Sequence, residues 1–184
     1  MPVEMMVDSV RIDLLARHRF VVLKEPEQDR YLPIAIGAAE AGAIAIKLMN
    51  AHVLRPLTHD LICSVVATLG GQVTRILITD VMDGVFYARI VLDVAGRHVE
   101  VDSRPSDAIA LAVRLGTPIF VDERVLSQAS VAISGEDVLS GGQPRRDASV
   151  PPDDVAGPTE HVGEEQLSAY RDVISGLNLE GLGD

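Results

Sequence analysis

The feature that most constrains the fold is an ordered change in hydrophobic period along the chain. Extended, β-branched runs at about residues 3–14, 19–24 and 31–36 give way to a helical stripe over 38–50, where Ala41, Ile44, Ala45 and Leu48 share one face. The same order then returns. Strands are predicted at about 72–82, 85–94 and 97–103, followed by a helix over 105–115. Between the two series, residues 58–69 predict a helix with Leu61, Ile62, Val65, Val66 and Leu69 on its apolar face, ended by Gly70-Gly71. Cys63 lies near that face, so a buried, inert thiol is expected. A short strand over 118–121 and a turn of helix over 123–128 close the pattern. Sliding residues 30–48 by 67 positions onto 97–115 matches Arg30 with Arg97, Ala41 with Ala108, Ala43 with Ala110, Ala45 with Ala112 and Leu48 with Leu115, and also sets Glu40 against Asp107. The expected architecture is α+β: two βββα repeats forming a mixed, largely antiparallel sheet with helices packed on it.

Charge and composition set the domain limits. Residues 131–184 carry 11 acidic and three basic residues, a charge of −8 out of the −11 of the whole chain, which leaves −3 for residues 1–130. The composition turns to Gly, Pro, Ser and Asp around residue 134, so the expected division is a domain over 1–130, a flexible acidic linker over 131–163 and a C-terminal segment over 164–184. In that last segment Leu167, Tyr170, Ile174 and Leu177 recur as on one face of a short amphipathic helix. With aromatic residues at 3% and no Trp, the core must be aliphatic, and a base-stacking surface is disfavoured. The acidic balance argues against a general polyanion-binding protein, because Lys24 and Lys47 are the only lysines. A single cysteine excludes an intramolecular disulfide and a Cys-rich zinc site. Glu4 and Asp8 stand where a signal peptide needs a basic and then apolar run, and no 18-residue apolar stretch occurs, so a cytoplasmic location without membrane association is expected.

Turn chemistry registers the middle strands. If Asp83-Gly84 and Ala95-Gly96 are two-residue turns, Asp80 faces Tyr87, Arg89 faces Asp102, and Arg104 continues toward Tyr87. Asp80, Tyr87, Arg89, Asp102 and Arg104 then gather at one sheet end, where the 105–115 helix begins. Strict alternation also puts Ile76, Ile78 and Val91 on that face, so a second layer or a second subunit is expected to cover it. Converging carboxylates suit a hard divalent cation and phosphodiester hydrolysis. Asp80, Asp83 and Asp102 are therefore candidate ligands for magnesium or manganese, with Arg89 and Arg104 holding phosphate. No organic cofactor is indicated. The simpler account of Arg89 and Asp102 is a cross-strand ion pair. Pro105 suits a first helical position and Asp107 complements the helix dipole, while Arg104 and Ser106 beside it make an anion site. In Arg55-Pro56-Leu57-Thr58-His59-Asp60-Leu61, Thr58 is a good N-cap and Asp60 favours the first turn, which leaves His59 without a local structural role. His59 and Asp107 are the candidates for handling a proton.

Four motifs in order carry a resemblance. Leu32-Pro33-Ile34-Ala35-Ile36-Gly37 with Glu40-Ala41, the Arg55–Leu61 segment, Ile78-Thr79-Asp80 with Asp83-Gly84-Val85-Phe86-Tyr87-Ala88, and Arg104-Pro105-Ser106-Asp107-Ala108-Ile109-Ala110-Leu111-Ala112 resemble the bifunctional nuclease family, including its bacterial members, over about residues 3–130. The resemblance implies a compact α+β domain, often homodimeric, with nuclease activity on DNA and RNA as described for plant members. The alternative reading is a non-enzymatic, dimeric regulatory module that uses the Arg89, Asp102 and Arg104 end to bind a ligand or partner.

Overall fold

In the computed structural model, which describes residues 1–12 and 18–132, four helices pack on a mixed eight-stranded sheet. The strands are β1 (Pro2–Ile12), β2 (Arg19–Lys24), β3 (Arg30–Ile36), β4 (Gly71–Met82), β5 (Val85–Val94), β6 (Arg97–Ser103), β7 (Ile119–Asp122) and β8 (Val131–Ala132). The helices are α1 (Ala38–Leu48), α2 (Thr58–Thr68), α3 (Pro105–Leu115) and α4 (Glu123–Ala129). The sheet order is β6-β5-β4-β7-β1-β2-β3-β8, antiparallel except where β4 and β7 run parallel. Two antiparallel meanders, β1-β2-β3 and β4-β5-β6, thus lie on either side of β7, and each is followed by a helix. The pairing of β8 with Arg30 and Tyr31 of β3 carries the sheet two residues past the expected limit at 130. The predicted linker and C-terminal helix lie outside the described residues.

Both hairpin registers follow from their turns. Asp83 and Gly84 have φ of 51° and 79°, and Ala95 and Gly96 have 53° and 77°, the left-handed pairs that a type I′ turn requires. Met82 consequently faces Val85, Asp80 faces Tyr87 and Arg89 faces Asp102. Strict alternation fails in β4, however. The ladder shifts register between Val73 and Arg75 and again between Ile78 and Asp80, so that Thr74 and Thr79 are the extra residues of two bulges. Each bulge reverses the side-chain parity. Val73, Ile76, Ile78 and Val81 therefore stand opposite Leu92, Ile90, Ala88 and Phe86 on one face, instead of Ile76 and Ile78 sharing a face with Tyr87 and Arg89. The Thr74 hydroxyl donates to the Val91 carbonyl at 3.1 Å and secures the first bulge.

That common face is the core. Ile76, Ile78, Met5, Val21, Leu23, Leu32, Ile34 and Val121 of the sheet meet Ile44 of α1, Ile109 of α3 and Leu126 of α4 in one buried aliphatic cluster. The helix α3 is the central one, with Ala108, Ile109, Ala110, Leu111 and Ala112 all buried. With five consecutive positions buried, Ile109 and Leu111 alternate with alanines, which let neighbouring elements approach closely on the other sides. The helix α2 behaves otherwise. Of its eleven residues only His59 is buried, and Leu61, Ile62 and Val65 face solvent. The apolar face read from its periodicity is present but is not covered by the described residues. Cys63 is partly exposed, and burial raises its thiol pKa, which keeps the thiolate scarce at neutral pH.

Candidate functional site

Each of the three helices α1, α2 and α3 has an acidic residue at its third position: Glu40, Asp60 and Asp107. Local sequence accounts for this, since a carboxylate in the first turn complements the helix dipole. What local sequence does not show is that the three N-terminal turns meet. The buried His59, 8% exposed at the second position of α2, places Nε2 3.1 Å from Asp107 Oδ1. Arg104, the residue capping α3, donates from Nε to Asp107 Oδ2 at 2.7 Å and from Nη2 to Asp107 Oδ1 at 3.2 Å. The same Nη2 donates to Glu40 Oε1 of α1 at 2.8 Å. Glu40, His59, Arg104 and Asp107 thereby form one connected cluster. Glu40 and Asp107, which the 67-residue offset sets against each other, both hold Arg104.

Protonation follows from the contacts. Burial works against ionisation of Asp107, but the bonds from Arg104 and His59 outweigh it and hold the carboxyl below the usual carboxylate range. Asp107 is then an acceptor only, so His59 must donate from Nε2–H. Nδ1 takes no hydrogen bond among the described residues and is the basic nitrogen of this tautomer. Arg104, paired with Asp107 and Glu40, has its pKa raised further and stays charged. Its side chain is 67% exposed, so it is the member of the cluster that meets solvent.

The helix α2 begins one residue earlier than its sequence suggests. Leu57 is the capping position and Thr58 the first helical residue, because the Asp60 carboxylate reaches back to accept from the Leu57 amide at 2.8 Å. That bond, followed in effect by one from Arg114, holds Asp60 below the ordinary carboxylate range against some loss of solvation. Gly37 caps α1 without a side chain, and a Cβ there would collide with the Glu40 carboxylate.

The remaining candidates lie elsewhere. Arg89 and Asp102 face each other, but Arg89 Nη1 donates to Glu100 Oε2 at 2.7 Å, an exposed pair diagonal to the expected one. Arg104 leaves the β6 ladder to cap α3 and does not continue to Tyr87, because β6 ends at Ser103. Asp80 accepts the Val81 amide at 2.8 Å, Asp83 occupies the β4–β5 turn, and Asp102 is exposed on β6, with β5 between it and β4. Among the described residues no group of three or more His, Cys, Asp or Glu is disposed to hold a metal ion. No helix among them is long and apolar enough to cross a membrane. Glu40, which the sequence does not single out for chemistry, joins the cluster through Arg104. Its match to Asp107 in the 67-residue offset is the one sequence signal that links the two.

The family model described as the bifunctional nuclease domain matches residues 21–134, which span every member of the His59 cluster. The chain belongs to the bifunctional nuclease domain family. It is 42% identical over 133 residues to an uncharacterized protein of Mycobacterium tuberculosis, covering 72% of this chain and 79% of that one. It is 31% identical over 114 residues to bifunctional nuclease 1 of Oryza sativa subsp. indica, covering 60% of this chain and 34% of that protein. With bifunctional nuclease 2 of Arabidopsis thaliana the identity is 27% over 136 residues, covering 72% and 41%. This bifunctional nuclease domain thus accounts for well under half the length of those two plant proteins.

Proposed function

We propose that this bifunctional nuclease domain hydrolyses phosphodiester bonds of DNA and RNA at the Glu40–His59–Arg104–Asp107 cluster. The observation that carries the reading is His59: a buried imidazole whose Nε2–H is held by an ionised aspartate, beside an exposed arginine, at the meeting point of three helix N-termini. Arg104 would take a phosphate oxygen, a role for which its planar fork is suited. His59 Nδ1 would accept a proton from the attacking water or return one to the leaving oxygen, and Asp107 would stabilise the imidazolium between those steps. Water as nucleophile serves both substrates, because DNA lacks the 2′-hydroxyl. Asp80, Asp83 and Asp102 stand apart from this cluster, and magnesium or manganese enters the proposal as a variable of the assay. A homodimer belongs to the same proposal, supported by the apolar residues that α2 leaves exposed.

The test is cleavage of labelled single-stranded DNA and RNA by the purified full chain with magnesium, with manganese or with chelator. His59→Gln and Arg104→Ala should each lose on the order of a hundredfold or more, the scale of removing a proton-transfer group or a preorganised charge. Asp102→Asn should cleave at the parental rate. Metal-dependent cleavage lost in Asp102→Asn and kept in His59→Gln would move the site to the β4–β6 sheet end. A parent that cleaves neither substrate under any of these conditions would favour the binding-module reading. Light scattering at high micromolar concentration tests the dimer.

A further inference from the structure

The buried arginine of α3 is the group that the proposed mechanism does not use. Arg114 is 5% exposed at its side chain. Its Nε donates to Asp60 Oδ1 at 2.7 Å, Nη1 to the Ala110 carbonyl at 2.9 Å and Nη2 to the Ala43 carbonyl at 3.2 Å. One guanidinium thus touches α1, α2 and α3, the three helices that supply the His59 cluster. On the far side of Asp60, Oδ2 accepts the Leu57 amide and so sets the residue at which α2 begins. His59 is the next residue before Asp60 in the chain.

The helix α2 has little apolar burial. Leu61, Ile62 and Val65 are exposed, while Val66 packs at the edge of the core and Cys63 is partly buried. Hydrophobic burial therefore constrains its rotation and its height along α3 only weakly. Two directional contacts add to it: Asp60 with Arg114, and His59 with Asp107. We propose that Arg114 is a positioning residue, which locks the start of α2 through Asp60 and so holds the His59 ring in line with Asp107. An arginine is required because a fixed planar fork reaches acceptors on three helices together, whereas the single ammonium of lysine cannot. A displacement of about 1 Å at a reacting group is enough to cost on the order of a hundredfold in rate.

The inference rests on the nuclease reading for its catalytic consequence, but its structural consequence is measured without activity. In the full chain, Arg114→Met and Arg114→Lys are compared with the parent by imidazole nitrogen NMR, with His59→Gln identifying the His59 signals. The parent should show a single Nε2–H tautomer at His59. In Arg114→Met that signature should give way to exchange between tautomers, and α2 amides should exchange with solvent at least tenfold faster, while those of α3 change less. Arg114→Lys should fall between, with kcat lowered more than KM. If Arg114→Met does not fold, Arg114→Lys carries the same readouts. A folded variant with an unchanged His59 tautomer and unchanged α2 exchange overturns the positioning role. Loss of the tautomer in a protein whose parent has no nuclease activity supports the clamp and overturns the nuclease reading alone.

Discussion

Replacing Asp107 with Asn separates the charge of the cluster from its shape. The Arg104 pair contributes at most about 1 kcal/mol, since a side chain 67% exposed remains largely solvated. The His59 bond lies in a more buried setting, where a hydrogen bond to a charged group is worth about 1.5–3 kcal/mol. An asparagine carbonyl still accepts from Nε2–H, so only the ionic part of that bond is lost, while removing a half-buried carboxylate recovers some solvation. The balance is a loss of about 1–2 kcal/mol near neutral pH, or a fall in Tm of roughly 4–8 °C for a domain of this size. The sign of its pH dependence follows from the lowered pKa of Asp107. A depressed folded-state value gives stabilisation that is present above the unfolded value of about 3.9 and lost as pH falls through the folded value. Thermal unfolding followed by circular dichroism should therefore show a gap between parent and Asp107→Asn that is present above the unfolded value of about 3.9 and closes as pH falls below it. A gap undiminished in acid would refute the argument, because it would assign Asp107 a packing role and leave the His59 tautomer without its stated cause. Under the proposed function the same variant loses about a hundredfold or more in cleavage.

Gly37→Ala should change stability by less than about 1 kcal/mol, because Gly37 has φ of −70° and its obstacle is the mobile end of Glu40. It should nevertheless displace Glu40 from Arg104, so its effect on Tm should be non-additive with that of Glu40→Gln, and strict additivity would count against the contact. At concentrations too dilute for the proposed dimer, Leu61→Gln should stay within about 0.5 kcal/mol of the parent in denaturant unfolding, since Leu61 is 58% exposed. Ile44→Ala, at a fully buried position, should cost about 2–5 kcal/mol, and equal losses for the two would contradict the placement of α2. On composition, limited proteolysis should cut first between residues 135 and 163 and spare residues 1–130. Protection of that whole stretch would move the domain boundary.

Much of this chain is legible residue by residue. Periodicity located seven of the eight strands and all four helices to within a few residues, and Asp83-Gly84 and Ala95-Gly96 set both hairpin registers, because a type I′ turn leaves the facing pairs no freedom. The two-residue β8 carries too little pattern to be seen. Pro105 and Asp107 marked the start of α3 for the same local reasons that hold in the structure.

Three features were decided by distant contacts. The bulges at Thr74 and Thr79 moved Ile76 and Ile78 to the core face, and a strict two-residue alternation carries no mark of an extra residue whose cost is offset by packing on helices far along the chain. The apolar residues of α2 matched a buried face by spacing, yet spacing states only which residues share a side, not whether anything covers it. The residues that register gathers at the sheet end were parted likewise. Arg89 had Glu100 as well as Asp102 within reach, and Arg104 turned away from its ladder to Glu40 and Asp107. His59 and Asp107 could be singled out one at a time, since each carries its chemistry in its own side chain. Their pairing across 48 residues, and the Arg114 fork that joins three helices, exist only once the aliphatic core has brought the starts of α1, α2 and α3 together.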